Sequence, residues 1–249
     1  MRKFGLIGYP LSHSFSQKYF TEKFRKENLN DCIYENFSFP SINELPELLS
    51  SQPDLKGLNV TIPYKQSVIP FLYSGNEVVK QIGACNCIHI RDGKLFGFNT
   101  DVYGFEQSLK KSLQPYHTKA LILGTGGAAK AVEYVIQKAG IDYRFVSRNP
   151  IAGSEKYIRY EQITEDLISS YTLIINTTPS GMYPDTDKCP PLPYHLLSPK
   201  HYLFDLIYNP AKTLFLQKGE EQGAIIQNGS DMLVIQAEES WKIWNNLSA

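Results

Sequence analysis

The sequence predicts an α/β protein, and two observations carry that prediction. Between about residues 119 and 227, short apolar runs at 120–123, 143–146, 172–176, 203–206 and 224–227 alternate with helical stretches at 128–139 and 161–169. Strands alternating with helices over such a length imply right-handed βαβ crossovers and a parallel sheet. The second observation is Gly124-Thr125-Gly126-Gly127, which falls between a predicted strand and a predicted helix. A glycine-rich turn in that place is what a dinucleotide-binding βα unit requires.

The first hundred residues carry shorter elements of the same kind. Residues 4–8 read as a strand, and 16–26 as a helix with Tyr19, Phe20 and Phe24 on one side. Residues 32–37 and 58–62 are predicted strands and 42–49 a predicted helix. Residues 85–90 and 94–98 form a predicted hairpin about Asp92-Gly93, a dipeptide suited to a two-residue turn. A helix near 102–113 leads into the second pattern. The chain closes on one long helix, 230–246, with Ser230 in the capping position.

Composition narrows the class. A chain of 249 residues with 42% hydrophobic and 20% charged side chains has the make-up of a globular protein and no mark of disorder. Lys and Arg number 25, and so do Asp and Glu, so no basic footprint invites nucleic acid or an anionic membrane. No apolar run reaches the ~18 residues of a membrane span. The start, MRKFGLIGYPLSH, is broken by Pro10, Ser12 and His13 and reads as a first strand, not as a signal peptide. Cys32, Cys85, Cys87 and Cys189 lack the spacing of a zinc site and read as reduced thiols of a cytoplasmic protein, with no metal.

Three groups of residues carry candidate chemistry. The glycines after 120–123 let backbone approach a pyrophosphate, and the following helix offers free N–H groups and a partial positive charge. The strand at 143–146 should end over the adenosine ribose, where an NAD site places a carboxylate about 20 residues past the glycines. Here the segment is Ser147-Arg148-Asn149, with no carboxylate until Glu155. Arginine suits a 2′-phosphate, so NADP is the expected cofactor, although Arg148 also reads as a solvated surface group. In Asn59-Val60-Thr61-Ile62-Pro63-Tyr64-Lys65, Asn59 and Thr61 point the same way and Lys65 stands past the strand end. In Gly97-Phe98-Asn99-Thr100-Asp101, Asp101 follows a strand and opens a helix, where it reads equally as a helix cap.

Further segments complete a pattern. Gly8-Tyr9-Pro10-Leu11-Ser12-His13-Ser14-Phe15-Ser16, the Asn59 segment, Gly83-Ala84-Cys85-Asn86, the Gly97 segment, Gly124-Thr125-Gly126-Gly127-Ala128-Ala129, Asn176-Thr177-Thr178-Pro179-Ser180-Gly181-Met182 and Met232-Leu233 followed by Gln236 occur in that order. Through them the chain resembles the shikimate dehydrogenase family from end to end. It departs at Gln17, where proline is common, at Cys87, where threonine is usual, and at Ser147-Arg148-Asn149, where Asn-Arg-Thr and a further arginine are usual.

The resemblance implies two lobes: a substrate-binding α/β lobe with a mainly parallel sheet, residues 1–101 completed by the C-terminal helix at 225–249, and a Rossmann-like NADP-binding lobe at 102–224. It implies reversible reduction of 3-dehydroshikimate to shikimate with NADPH, in a cleft between the lobes, by a monomer or homodimer. A quinate/shikimate dehydrogenase using NAD is the alternative. Lys65 matches the catalytic lysine and Asp101 its partner. Ser14 and Ser16 resemble the hydroxyls that hold the substrate carboxylate, and Ser16 reads also as an N-cap. Thr61, Asn86, Asp101, Tyr208 and Gln236 resemble groups that bind ring oxygens, and Gln236 reads also as a bridge between buried elements. Gly124, Gly126, Gly127, Ala128, Arg148, Thr177 and Gly229 are similar to positions lining the cofactor.

Overall fold

A computed structural model describes residues 1–11, 15–149, 151 and 153–246. The chain divides into two compact α/β units, Met1–Asp101 with Gln236–Ala249, and Val102–Ile235.

The first unit contains β1 (Arg2–Gly8), α1 (Phe15–Lys26), β2 (Cys32–Ser38), α2 (Leu45–Ser51), β3 (Leu55–Val60), the single turn α3 (Tyr64–Ser67), β4 (Ser74–Gly75), α4 (Glu77–Ile82), β5 (Cys87–Arg91) and β6 (Lys94–Phe98). They form one sheet in the order β2-β1-β3-β5-β6-β4. β1 pairs in parallel with β2 and β3, whereas β5 runs antiparallel to both β3 and β6. The β5–β6 turn sits on Asp92 and Gly93, with φ of 49° and 70°, as the dipeptide predicts. Ahead of α2, the Ser41 side chain accepts from the Asn43 N–H while Glu44 reaches back to the Ser41 N–H.

Alternation along the strands sorts the sheet into two faces. Ile7, Leu58, Val60, Ile88 and Leu95 pack with Leu45 of α2 and Val79 of α4 on one side. Phe4, Leu6 and Cys87 pack on the other with Phe20 and Phe24 of α1 and with Trp241 and Trp244 from the end of the chain. Gly57 lies under Trp244: a Cβ there would overlap the indole, whose Nε1 donates to the Ile88 carbonyl at 3.0 Å. The reading of Ser16 as an N-cap needs correction. α1 begins at Phe15, so Ser16 lies inside the first turn, and Ser14 lies outside the described residues.

The second unit follows along α5 (Thr100–Lys110), which crosses the dividing line. It contains β7 (Lys119–Leu123), α6 (Gly127–Lys138), β8 (Asp142–Val146), β9 (Tyr157–Ile158), α7 (Glu165–Ser170), β10 (Leu173–Asn176), β11 (Tyr202–Asp205), α8 (Leu214–Glu220), β12 (Ile225–Gln227) and the start of α9 (Ser230–Trp244). The sheet order is β12-β11-β10-β7-β8-β9, with every pair parallel. This is the doubly wound order 3-2-1-4-5-6 read from its other edge. Strands such as Leu173–Asn176 are buried throughout, because helices cover both faces of a parallel sheet. Leu121, Leu123, Ile174 and Leu203 meet Phe215 and Leu216 of α8 on one face. On the opposite face Phe105 of α5 meets Phe204 edge-on at 5.1 Å. Ser230 is not a free-standing cap. It is the first helical residue of α9, and its N–H donates to the Asn228 side chain at 3.1 Å. Among the described residues no helix is long and apolar enough to cross a membrane.

Candidate active site

In the first sheet the chain runs from β1 to β2 on one side, then returns past β1 to β3, so the strand order reverses between β1 and β3. Ligands of open α/β sheets bind beyond the carboxyl ends of strands at such a reversal, because the connections there leave in opposite directions and open a crevice. The two ends are held together. The Thr61 N–H donates to the Ile7 carbonyl at 2.9 Å, and Gly8 lies so close to the Thr61 methyl that no side chain fits on it.

Lys65 stands in α3, just past β3, and Asp101 in the first turn of α5. Lys65 Nζ donates to Asp101 Oδ2 at 2.7 Å, with about a third of the lysine side chain and a fifth of the aspartate exposed. An ammonium gripped by a carboxylate and still open to solvent is a positioned proton donor. The Lys65 carbonyl accepts from the Cys85 N–H at 2.7 Å, which ties α3 to the segment carrying Asn86. Cys85 and Cys87 are buried free thiols, and burial pushes Cys85 up to about 12 and Cys87 higher still. Both therefore stay protonated and unreactive.

Asn86 and Gln236 are buried beside these groups, and both amides meet the Thr100 hydroxyl. Ser16 is half-buried in α1, and burial keeps the Tyr34 phenol neutral. The first unit thus gathers Ser16, Thr61, Lys65, Asn86, Asp101 and Gln236. Tyr208, exposed and just beyond β11, belongs to the second unit with the predicted cofactor residues.

The second sheet reverses between β7 and β10. Gly124 follows β7 with φ of 98°, and a Cβ there would come within 2.9 Å of both Thr177 Oγ1 and Thr178 Cγ2. Thr177 Oγ1 donates to the Leu123 carbonyl at 2.7 Å. Gly126 and Gly127 differ: a Cβ on either would meet nothing within 4 Å. They and Ala128 lie exposed where α6 begins, with backbone N–H groups that have no partner inside the helix. Open space above such an N-terminus fits a pyrophosphate. Arg148, exposed past β8, lines a cavity of about 490 Å³ with Tyr160, Thr178, Ser180, Tyr183 and Lys188. Gly229 presses against the Leu206 carbonyl, leaving no room for a side chain, and its N–H donates to the Ile207 carbonyl at 3.1 Å.

Asp205, at the end of β11, is fully buried and accepts from Thr213 Oγ1 at 2.6 Å, Asn176 Nδ2 at 3.0 Å and the Ile207 N–H at 3.1 Å. It fixes the turn that leads to Tyr208. Burial outweighs these hydrogen bonds and pushes its carboxyl up from 3.8 to about 6. A carboxyl raised in the folded state favours folding below pH 3.8, and that contribution is lost as pH rises through about 6. The difference is on the order of 3 kcal/mol. An Asp205→Asn protein is therefore expected to lose less stability than the parent between pH 4.5 and 7. Urea unfolding of both proteins across that range checks this, and parallel curves refute it.

The family model described as "Shikimate dehydrogenase substrate binding domain" matches residues 6–88. A curated NADP(+) shikimate dehydrogenase of Staphylococcus aureus (strain Newman) is 36% identical over 256 residues, covering 99% of this chain and 94% of the relative. The chain belongs to the shikimate dehydrogenase family. Among solved structures, a chorismate mutase/shikimate 5-dehydrogenase fusion protein from Clostridium acetobutylicum is 37% identical with a TM-score of 0.86, the match covering all of this chain and 93% of that one. A Thermus thermophilus shikimate 5-dehydrogenase in complex with NADP(H) and shikimate is 30% identical with a TM-score of 0.85, covering 99% and 94%.

Membership in the family does not by itself point to the polar residues packed behind Asn86 and Gln236. Tyr34, Asn59, Thr100 and Ser240 are buried there; the sequence singles out Asn59 beside Thr61 but gives none of the four a binding role. One signal was available. Asn59 is polar in a strand whose neighbours Leu58 and Val60 are core residues, and a buried amide needs partners.

Proposed function

We propose that the protein is a shikimate dehydrogenase, which reduces 3-dehydroshikimate to shikimate reversibly with NADPH on the route to chorismate and the aromatic amino acids. The Lys65–Asp101 pair, 2.7 Å apart beyond the carboxyl end of β3, is the observation that carries this reading. It is joined by the full-length likeness to NADP(+) shikimate dehydrogenases. The first unit holds the substrate and the second the cofactor. Ser14 and Ser16 bind the substrate carboxylate. Thr61, Asn86, Asp101, Tyr208 and Gln236 bind its oxygens, and Lys65 with Asp101 supplies or relays the proton to the alkoxide forming at C3. The nicotinamide, when bound, supplies the hydride. Gly124, Gly126, Gly127 and Ala128 accommodate the pyrophosphate, with Thr177 and Gly229 shaping the neighbouring strand ends. Four free thiols accord with a reducing, cytoplasmic setting.

Arg148 supports NADP over NAD, because a guanidinium can grip two oxygens of a 2′-phosphate and the segment Ser147-Arg148-Asn149 carries no carboxylate for a ribose hydroxyl. Assaying shikimate and quinate, each against NADP and NAD, tests the whole reading. An Arg148→Ala protein is expected to lose roughly 1.5–3 kcal/mol toward NADP, the scale of a charged hydrogen bond, and almost nothing toward NAD. The NADP penalty should shrink as salt rises, since Arg148 is exposed. Equal losses with the two cofactors would reduce Arg148 to a support for its loop.

A further inference from the structure

Six buried polar side chains of the first unit form one connected hydrogen-bond network. The Tyr34 hydroxyl donates to Asn59 Oδ1 at 2.8 Å, and Asn59 Nδ2 donates to Ser240 Oγ at 2.9 Å. Ser240 Oγ donates to the Gln236 backbone carbonyl one turn earlier in α9, at 2.9 Å, and lies 3.2 Å from Thr100 Oγ1. Thr100 Oγ1 lies 3.3 Å from Gln236 Oε1. The Thr100 N–H donates to Asn86 Oδ1 at 2.6 Å, and Asn86 Nδ2 donates back to Thr100 Oγ1 at 3.1 Å. Thr100 and Ser240 are at most 1% exposed, so neither can touch a ligand.

Counting protons shows what the two hydroxyls do. A backbone N–H only donates, so the Thr100 N–H makes Oδ1 the acceptor end of Asn86 and turns Nδ2 toward the Thr100 hydroxyl. That hydroxyl then accepts from Asn86 Nδ2, and its single proton faces Gln236 Oε1 at 3.3 Å, Ser240 Oγ at 3.2 Å and Asn86 Oδ1 at 3.3 Å. Ser240 commits its own proton to the Gln236 carbonyl, so it accepts from Asn59 and faces the Thr100 hydroxyl as an acceptor. Each hydroxyl therefore accepts and donates at once. Without the Thr100 hydroxyl, Asn86 Nδ2 and Gln236 Oε1 each lose a partner, and without Ser240 the Thr100 hydroxyl loses a contact that orients it.

We propose that Thr100 and Ser240 are positioning residues, which hold the Asn86 and Gln236 amides in the orientation that binds the hydroxyls of a polyhydroxylated ring. The proposal rests on the reading of the protein as a shikimate dehydrogenase. It goes beyond that reading in making affinity for the ring depend on two hydroxyls the ring never meets. Fixing a binding group in advance strengthens binding because its rotation need not be frozen when the ligand arrives.

Thr100→Val keeps the side-chain shape and the backbone N–H but removes the hydroxyl. Thr100→Ser keeps the hydroxyl, and Ser240→Ala removes the second hydroxyl from a helical position that suits alanine. Calorimetric titration with shikimate, steady-state kinetics and circular dichroism are read on each purified full-length protein. The expected result is a shikimate Kd and KM raised ~10-fold in Thr100→Val, on the scale of one lost hydrogen bond. A smaller rise is expected in Ser240→Ala and values near the parent in Thr100→Ser, with KM for NADP unchanged throughout. Parent-like shikimate affinity in folded Thr100→Val overturns the proposal, as does an equal loss in Thr100→Ser. If Thr100→Val fails to fold, Ser240→Ala decides on the same terms. A parent protein that binds shikimate but does not oxidise it would refute the functional reading instead, leaving the affinity comparison intact.

Discussion

Replacing Lys65 by alanine is expected to lower kcat for shikimate oxidation by at least ~100-fold, since a positioned acid–base group contributes about 10²–10⁴. The geometry sharpens the expectation. Lys65 lies in the single turn α3 and reaches Asp101 across 36 residues of sequence, so the change removes the ammonium without touching the sheet. KM for shikimate should move far less if, as proposed, binding is spread over Ser14, Ser16, Thr61, Asn86 and Gln236. Asp101 loses its 2.7 Å partner in the same variant, so Asp101→Asn belongs beside it. If the two groups act as a unit, the double variant should be little slower than Lys65→Ala alone. Steady-state kinetics in both directions, with circular dichroism to verify folding, measure this. Turnover near that of the parent would take Lys65 out of the mechanism.

The largest effect on stability is expected at Trp244. Its ring stacks on Phe4 with centroids 4.9 Å apart, approaches Phe20 at 5.3 Å and lies over Gly57, where no other side chain could share the space. Its Nε1 hydrogen bond to Ile88 ties the end of α9 to β5. Trp244→Ala should therefore cost about 3–5 kcal/mol, the range for emptying a large aromatic site from a core. Refilling the space from Gly57 is sterically open in that variant, although β3 and its neighbours are too rigidly paired to close over the cavity unaided. Urea unfolding of Trp244→Ala, read by far-UV circular dichroism, checks the figure. A loss under 1 kcal/mol would mean that the α9 end contributes little to the first unit.

Elements whose evidence is local were legible in the sequence. The strand at β7, the glycine turn after it and the first turn of α6 announce themselves within ten residues, because buried parallel strands are apolar throughout and the turn chemistry is specific. The β5–β6 hairpin is equally plain, since Asp92 and Gly93 adopt the positive φ values their residue types favour. Short elements were missed. α4 at Glu77–Ile82 and α8 at Leu214–Glu220 span under two full turns or about two, too few for a helical period to stand out from the surrounding apolar residues. The predicted helix at 161–169 also proved to be a single turn at Tyr160–Gln162 followed by α7, with the break at Ile163 and the capping residue Thr164.

By itself the sequence determined that this is an α/β chain with a dinucleotide-type βα turn, and its ordered segments marked the family and the residues on which chemistry was expected. Only the tertiary structure decided which of those residues meet. Lys65 reaches Asp101, Asn59 reaches Ser240 across 181 positions, and Trp244 fills the space that Gly57 leaves. The physical reason is one of range. Periodicity, capping and turn chemistry act between residues a few positions apart and survive in a reading of the chain. A hydrogen bond or a packed ring joins atoms within a few ångströms regardless of separation along the chain, and nothing local to Gly57 or Ser240 records what the fold will bring to them.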